Sequence, residues 1–229
     1  MTLTIYDAAD IPQGSEAWFE ARRGIVTAST VGKLLTSTGK VASNETSRTL
    51  TDTLITERIT GRVEPVFPTR DMERGTALEP FARNLYAEHY APVTEIGFAR
   101  LDEDHYTLGA SPDGLVDSDG GIEVKCPRPR THLATLRTEK VPAQYTAQIQ
   151  GCMHVLDRDW WDFISYAPGL PLFVKRVYRD EKWSEAIREA CENFQITSDT
   201  DVGYYEKVIV PRFPPTEYFD PFYEGQEIF

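Results

Sequence analysis

Residues 111–126, SPDGLVDSDGGIEVKC, hold the pattern that decides the fold. Two short apolar runs, at 115–116 and 122–124, are separated by a segment rich in glycine and aspartate, which is typical of a strand, a turn and a second strand. Asp113 lies in the turn that precedes the first run, directly after a proline. Glu123 and Lys125 are two residues apart on the second strand, so their side chains point to the same side of it. The stretch therefore predicts one structural unit that carries two carboxylates and an ammonium group.

These side chains suit the hydrolysis of a phosphodiester. Two carboxylates can hold one or two hard divalent cations, and the lysine can orient or acidify the attacking water and offset charge on the phosphate. Glu79, within RGTALEPFA on a predicted helix, can supply a third carboxylate. Pro-Asp-Gly turns and Glu-x-Lys strands are also common on solvated surfaces, so neither element is informative alone. Their combination on an otherwise apolar strand, where a charged pair is costly, favours a metal-dependent site.

Outside this stretch, apolar periodicity and capping residues predict helices on both sides of a set of strands. Apolar runs from Val93 to Val124, separated by glycines, predict consecutive strands, and WWDFISYA and LFVKRVY predict an antiparallel hairpin. Helices before and after a mixed central sheet predict an α/β or α+β domain. The predicted helices cover SEAWFEARR, ASTVGKLL, Asn44 to Thr60, Asp71 to Tyr90 with Pro80 near its start or at a kink, His132 to Thr138, Pro142 to Val155 and Glu181 to Phe194.

Length and composition predict a single globular domain over residues 1–229. A hydrophobic share of 41% and a charged share of 26% are ordinary for a soluble protein. We expect a core over about 15–200 and an acidic, aromatic C-terminal arm over about 203–229, too irregular for a long helix. No stretch approaches the roughly 20 apolar residues of a membrane span, and the amino terminus lacks a signal-like pattern, so we expect a cytoplasmic protein.

Charge and cysteine usage bound the possible partners and cofactors. The net charge of −12 argues against broad adhesion to nucleic acid, but five basic residues lie between 125 and 140 with a single acid among them. Such a run is either a locally positive face on an acidic body or an ordinary solvated surface. Three cysteines without a CxxC pair, and four histidines without a close pair, argue against a disulfide framework, a zinc site or an iron–sulfur cluster.

Four motifs in a fixed order give the chain a resemblance to a known family. They are E-x-x-A at Glu79, S-P-D-G at 111–114, E-x-K-C-P at 123–127 and Y-x-x-Q-x-Q at 145–150. This order resembles the phage-type alkaline exonucleases of the YqaJ viral recombinase group, the phage lambda exonuclease family, within the PD-(D/E)XK nuclease superfamily. The resemblance extends over roughly residues 18–178. It implies a restriction-endonuclease-like core with a central mixed β-sheet flanked by helices.

The resemblance also implies a catalytic role for each matching residue. Glu79, Asp113 and Glu123 would be the metal-binding carboxylates of the active site. The backbone carbonyl of Val124 would be a further metal ligand, and Lys125 would lie next to the nucleophilic water.

Two further motifs imply contacts with the substrate. Tyr145 and Gln148 match a helix that borders the active site in the family, and their spacing of three places both on one helical face. The segment RRGIVTAS matches the amino-terminal signature of the family. In that match Arg22 and Ser29 would bind the terminal 5′ phosphate, which a guanidinium and a hydroxyl near a helix start suit.

The implied activity is a Mg²⁺-dependent 5′-to-3′ exonuclease on linear double-stranded DNA. It would use two ions, with Mn²⁺ as a possible substitute, release 5′-mononucleotides and leave 3′ overhangs for phage recombination. The implied partners are DNA, a single-strand annealing protein and two further copies in a ring-shaped homotrimer, in a bacterial host that carries the phage or prophage. Two alternatives remain open. One is an endonuclease of restriction or repair type, and the other is a non-catalytic acidic assembly or DNA-mimic protein.

Overall fold

Two four-stranded sheets flanked by helices form the centre of the molecule. The computed structural model describes residues 1–63 and 67–219, and it confirms the predicted mixed α/β class. The strands are β1 (Thr2–Asp7), β2 (Val26–Thr27), β3 (Ile96–Asp102), β4 (Thr107–Ala110), β5 (Gly114–Val116), β6 (Gly120–Lys125), β7 (Trp160–Ser165) and β8 (Phe173–Tyr178). The helices are α1 (Glu16–Arg22), α2 (Ala28–Val31), α3 (Glu45–Thr60), α4 (Arg70–His89), α5 (Pro129–Thr138), α6 (Thr146–Leu156) and α7 (Glu181–Tyr204).

Each sheet mixes parallel and antiparallel pairs. The first has the order β1-β3-β4-β2, in which only the pair β2 and β4 is parallel. The second has the order β5-β6-β7-β8, in which β6 and β7 run parallel and the other neighbours run antiparallel. The antiparallel pairing of β7 with β8 confirms the hairpin predicted from their apolar runs. The unit β5–turn–β6 likewise has the predicted arrangement.

The sheet is divided where the sequence predicts one continuous sheet. β4 ends at Ala110, and the chain turns through Ser111, Pro112 and Asp113 before β5 begins. Pro112 has no N–H to donate to a ladder, so strand pairing stops at this turn. Two backbone hydrogen bonds between Thr94 and Leu115, of 2.9 and 2.8 Å, tie β5 to the segment before β3. The break thus lies at the turn that carries Asp113.

Two adjacent glycines in β6 leave room for two tryptophan rings of β7. A Cβ atom at Gly120 would lie 2.0 Å from the ring of Trp160, and one at Gly121 would lie 2.3 Å from the ring of Trp161. Both tryptophans are buried, so the rings cannot move aside into solvent. Besides following the turn, these glycines therefore let two large rings cover the strand that carries Glu123.

Pro80 lies in the interior of α4 rather than near its start. A proline there removes the hydrogen bond to the carbonyl four residues earlier, that of Thr76. Thr76 is exposed, so water can satisfy that carbonyl. The helix begins at a capping residue instead, since the side chain of Thr69 accepts a hydrogen bond from the N–H of Met72.

The last helix is longer than its periodicity predicts. α7 runs to Tyr204, not Phe194, and continues through a π-helical turn at Tyr205–Ile209 and a 3₁₀ turn at Val210–Arg212. Tertiary contacts explain the extension, because the guanidinium of Arg58 on α3 donates to Ser198 Oγ (2.9 Å) and Gln195 Oε1 (3.0 Å). The beginning of the predicted extended arm is therefore helical.

The remaining structural expectations have simpler outcomes. Within the described ranges, no helix is long and apolar enough to span a membrane. The three cysteines carry free thiols, and two of them are buried. The predicted loop at 64–66 and the end of the predicted arm, 220–229, lie outside the described residues.

Candidate active site

Three structural elements carry the acidic and basic residues of the candidate site. Glu79 projects from α4, Asp113 from the turn between β4 and β5, and Glu123 and Lys125 from β6. Each of the three carboxylates interacts electrostatically with the other two, in the pairs Glu79 with Asp113, Asp113 with Glu123, and Glu123 with Glu79. The structure therefore brings together the four residues that the sequence singles out.

Glu123 is the buried centre of this cluster, with 0% of its side chain exposed. Its Oε1 atom accepts a hydrogen bond from Gln148 Nε2 on α6 at 2.7 Å and forms an ion pair with Lys125. Its Oε2 atom is buried and has no hydrogen-bond partner among the described residues. A buried carboxylate oxygen without a partner is costly, and a cation would remove that cost.

Asp113 is anchored to β6 through the main chain. Its Oδ2 atom accepts a hydrogen bond from the N–H of Val124 at 2.6 Å. The neighbouring carbonyl, that of Lys125, faces the opposite edge, where it accepts from the N–H of Tyr166 at 2.9 Å. Because N–H and C=O of one strand residue point to the same edge and alternate along the strand, the carbonyl of Val124 lies on the edge that faces Asp113. The carbonyl oxygen of Val124 and the carboxylate of Asp113 therefore belong to the same side of β6.

Crowding of the acids raises their pKa values. Burial, and then the charge of Asp113, raise the pKa of Glu79 to about 7. Burial, and then the charge of Glu123, raise the pKa of Asp113 to about 7. Burial also raises the pKa of Glu123 above its ordinary value, although Lys125 opposes this. Acids crowded in this way bind either protons or a cation. A divalent cation would relieve the repulsion between their negative charges.

Lys125 stays charged in this environment. Burial alone would lower the pKa of its ammonium group, but the carboxylates of Glu123 and Asp113 outweigh burial and raise that pKa. The ammonium nitrogen lies 5.4 Å from the centroid of the Tyr145 ring, and that ring stacks on Phe163 at 5.4 Å. Tyr145, in the 3₁₀ turn Ala143–Tyr145 that precedes α6, thus faces Lys125, whereas Gln148 on α6 contacts Glu123.

The donor atoms suit a hard divalent cation. Carboxylate and carbonyl oxygens are the ligands that Mg²⁺ prefers, and Glu123 offers a buried oxygen without a partner. Over residues 1–63 and 67–219, no three acidic, histidine or cysteine side chains already surround one point. Glu79 Oε1 accepts instead from Arg83 Nη1 at 2.8 Å, and Glu123 Oε1 pairs with Lys125. The residues fit the cation by the chemistry of their donor atoms, although one oxygen of Glu79 and one of Glu123 are occupied by cationic side chains in this structure.

A second cluster joins the predicted phosphate-binding pair to the Asp113 turn. The guanidinium of Arg22 donates to Ser29 Oγ and to Ser111 Oγ, each at 3.4 Å. It lies 3.9 Å over the ring of Trp18, whose indole N–H donates to Ser111 Oγ at 2.9 Å. Burial lowers the pKa of Arg22 to about 10, against the opposing charge of Glu57, so the group remains a cation at neutral pH. A half-buried cation beside two hydroxyl groups suits an anion such as phosphate.

Two residues of these clusters have no predicted role in the sequence. Ser111 lies in the quoted stretch, two residues before Asp113, but nothing in the sequence shows that it contacts Arg22. Arg83 lies four residues after Glu79 on α4 and also donates to the carbonyl of Asp113 at 3.2 Å. The spacing of four residues between Glu79 and Arg83 could have indicated that the two side chains form an ion pair on the helix.

The mixed α/β fold thus places a cluster of acids beside a lysine, a set of groups that can serve the hydrolysis of a phosphodiester. A sequence model of the YqaJ-like viral recombinase domain matches residues 17–159. The chain belongs to this family.

Solved structures give the same assignment. The chain is 35% identical to an alkaline exonuclease from Laribacter hongkongensis, with a TM-score of 0.76 over 86% of this chain and 99% of that chain. The Laribacter enzyme has also been solved in complex with dAMP, with the same similarity to this chain. A phage-related exonuclease from Haemophilus somnus 129PT shares the fold at 17% identity, with a TM-score of 0.60 over 78% of this chain and 95% of that chain. No curated protein matches the chain.

Proposed function

We propose that this protein is a Mg²⁺-dependent 5′-to-3′ exonuclease on linear double-stranded DNA, releasing 5′-mononucleotides and leaving 3′ single-stranded overhangs. The observation that carries the proposal is the direct link between two clusters. Ser111 contacts the Arg22 guanidinium, and Asp113, two residues later, belongs to the acidic cluster. The proximity of a cation with two hydroxyl groups to a cluster of acids supports a phosphate-binding site beside a hydrolytic site. The alkaline exonuclease named above, with its dAMP complex, supports a deoxynucleotide product.

The acidic residues would hold the cations. Glu79, Asp113, Glu123 and the carbonyl of Val124 supply the oxygens, and Gln148 orients Glu123 through its hydrogen bond. When bound, Mg²⁺ supplies stabilisation of negative charge and lowers the pKa of a coordinated water. Mn²⁺ prefers similar ligands and should substitute, and we expect two ions.

Lys125 and Tyr145 border the position of the scissile phosphate in this proposal. Because its neighbours raise the pKa of Lys125, this residue acts as a fixed positive charge and a proton donor rather than as a general base. It orients the attacking water and offsets the charge of the phosphate. Arg22 and Ser29, with Ser111 added by the structure, bind the 5′ phosphate and set the direction of digestion.

Strand polarity on end-labelled duplex tests the proposal. A blunt linear duplex with 5′ phosphates should release labelled mononucleotides from its 5′ ends when Mg²⁺ is present, and relaxed circular DNA should stay intact. Lys125→Ala and Glu123→Gln should lose hydrolysis but still bind the duplex. Lys175→Ala, at an exposed lysine of β8, is the matched control and should digest normally.

Three outcomes would contradict the proposal in different ways. Cleavage of circular DNA would identify an endonuclease on the same scaffold. Digestion from 3′ ends would reverse the assigned polarity. An absence of both hydrolysis and Mg²⁺ or Mn²⁺ binding would identify a non-catalytic DNA-mimic or assembly protein.

The proposal extends to the assembly and its setting. Membership of the viral recombinase family supports a homotrimer that encloses DNA and works with a single-strand annealing protein in the cytoplasm of a bacterial host. Enclosure would let a protein with a net charge of −12 stay on DNA with a narrow basic lining. Native mass spectrometry should show three copies, and a monomer at working concentration would contradict the ring.

A further inference from the structure

A single guanidinium, that of Arg83, joins three segments around the candidate active site. Arg83 lies one helical turn after Glu79 on α4, so the two side chains share a face of the helix. Its Nη1 atom donates to Glu79 Oε1 at 2.8 Å and to the carbonyl oxygen of Asp113 at 3.2 Å. Its Nη2 atom lies 2.7 Å from Glu95 Oε2. Arg83 therefore links α4, the Asp113 turn and the segment that precedes β3.

This linkage is sheltered and held at its far end. The Arg83 side chain is 13% exposed, whereas its outer partner Glu95 is 56% exposed. Hydrogen bonds between ionised groups strengthen where water is excluded. The segment with Glu95 is itself fixed, because the neighbouring Thr94 exchanges two backbone hydrogen bonds with Leu115 on β5. Arg83 thus acts between anchored groups rather than as a mobile surface side chain.

We propose that Arg83 is a positioning residue of the metal site, which selects the oxygen of Glu79 that a cation can reach and holds the Asp113 turn against α4. With Oε1 occupied by the guanidinium, Oε2 is the oxygen left to turn toward Asp113 and Glu123. Glu95 steadies the other end of the guanidinium. The inference rests on the proposed function, because it assigns Arg83 to the same site.

A purely structural role makes a different prediction. Arg74, on the same helix, donates to the carbonyl oxygens of Cys126 (2.9 Å) and Pro127 (3.2 Å), so it too ties α4 to a loop near the site. If Arg83 served only to attach α4, then losing either arginine would lower stability and leave metal affinity alone. If Arg83 positions Glu79, then its loss should weaken metal binding specifically.

The test is calorimetric titration of metal-free, full-length protein with Mn²⁺ and with Mg²⁺, together with kinetics on 5′-phosphorylated duplex. Arg83→Gln should weaken metal affinity about tenfold or more, the usual effect of losing a residue that orients a ligand. The KM for DNA should stay unchanged, and kcat should recover in part at high metal concentration. Arg83→Lys keeps a charged donor but lacks the two separated terminal nitrogens that reach Glu79 and Glu95, so it should show a smaller loss. Arg74→Gln is the matched control and should bind metal like the wild type.

The outcomes separate the two levels of the proposal. Unchanged metal affinity in folded Arg83→Gln, or an equal loss in Arg74→Gln, would overturn the positioning role alone. If Arg83→Gln does not fold, Glu95→Gln takes its place, and unchanged metal affinity there would likewise overturn the role. Failure of the wild type to bind either metal, or normal binding by Glu123→Gln, would overturn the proposed function and this inference with it.

Discussion

Removing the lysine of the candidate site should destabilise the metal-free protein through the carboxylate that it leaves behind. Lys125→Met keeps most of the side-chain volume but takes the positive partner from Glu123, which is fully buried. Breaking a buried ion pair by removing one partner typically costs about 3–5 kcal/mol. The Lys125 side chain is 28% exposed, and Gln148 still donates to Glu123, so we expect a value near the lower end, about 3 kcal/mol at pH 8.

Protonation of Glu123 limits this cost and makes it depend on pH. The carboxylate of Glu123, once it has lost Lys125, can take up a proton instead of staying charged. For an ordinary glutamate pKa of about 4.3, the free-energy cost of this protonation is about 5 kcal/mol at pH 8 but only about 2 kcal/mol at pH 6. The destabilisation caused by Lys125→Met should therefore shrink between pH 8 and pH 6. In the background of Glu123→Gln, which has no charge to leave unpaired, the same substitution should cost less than about 1 kcal/mol.

Urea unfolding of the four proteins of this cycle, in the presence of a chelator, measures these differences. Wild type, both single variants and the double variant should give a coupling free energy that is larger at pH 8 than at pH 6. Equal stability of Lys125→Met and wild type would refute the reasoning. A loss that Glu123→Gln does not relieve would also refute it, because the cost would then arise from packing.

Three other predictions concern the strand end, the sheet and the acids. Arg22→Ala should lower the preference for 5′-phosphate over 5′-hydroxyl ends about tenfold or more, since hydrogen bonds to charged groups contribute about 1.5–3 kcal/mol. Digestion rates measured on duplexes with each kind of end give this preference as a ratio. An unchanged ratio would exclude Arg22 from end binding. Gly121→Ala should lower the free energy of unfolding by about 1–3 kcal/mol, because its Cβ would lie 2.3 Å from Trp161, and an unshifted thermal melt would contradict this packing. Burial and Asp113 raise the pKa of Glu79 to about 7 in the folded state, above about 4.3 in the unfolded chain, so the free energy of unfolding without metal should fall as the pH rises from about 4 to about 7. Glu79→Gln should flatten that decline in urea titrations, and an identical slope would show that Glu79 does not cause it.

Local periodicity accounts for the parts of the site that the sequence could predict. Glu123 and Lys125 share a side of β6 because strand side chains alternate. Tyr145, in the 3₁₀ turn before α6, and Gln148, on α6, are three residues apart and face Lys125 and Glu123, respectively. Both relations depend on spacings of two or three residues. They are therefore visible without knowledge of the tertiary fold, and the structure brings these four side chains together.

Contacts between distant segments account for what the sequence left open. Ser111 meets Arg22 across 89 residues, and Arg83 meets the Asp113 carbonyl across 30, so no local pattern indicates either contact. The extra turns of α7 likewise depend on Arg58, 137 residues before Gln195. The sequence did not predict β1 either, because this strand pairs with β3, which lies far from it along the chain. Each of these features depends on tertiary contacts between segments that are far apart in the sequence.

The N–H of Val124 that holds Asp113 belongs to the main chain, and so does the carbonyl assigned as a ligand. Replacing a side chain cannot delete either group, so nearly any apolar residue of suitable size at position 124 leaves the chemistry in place. The side chain is 4% exposed and packs in an apolar cluster, so laboratory evolution at this position would select for an apolar side chain of suitable volume. Proline is the exception, because it has no N–H to donate to Asp113 Oδ2.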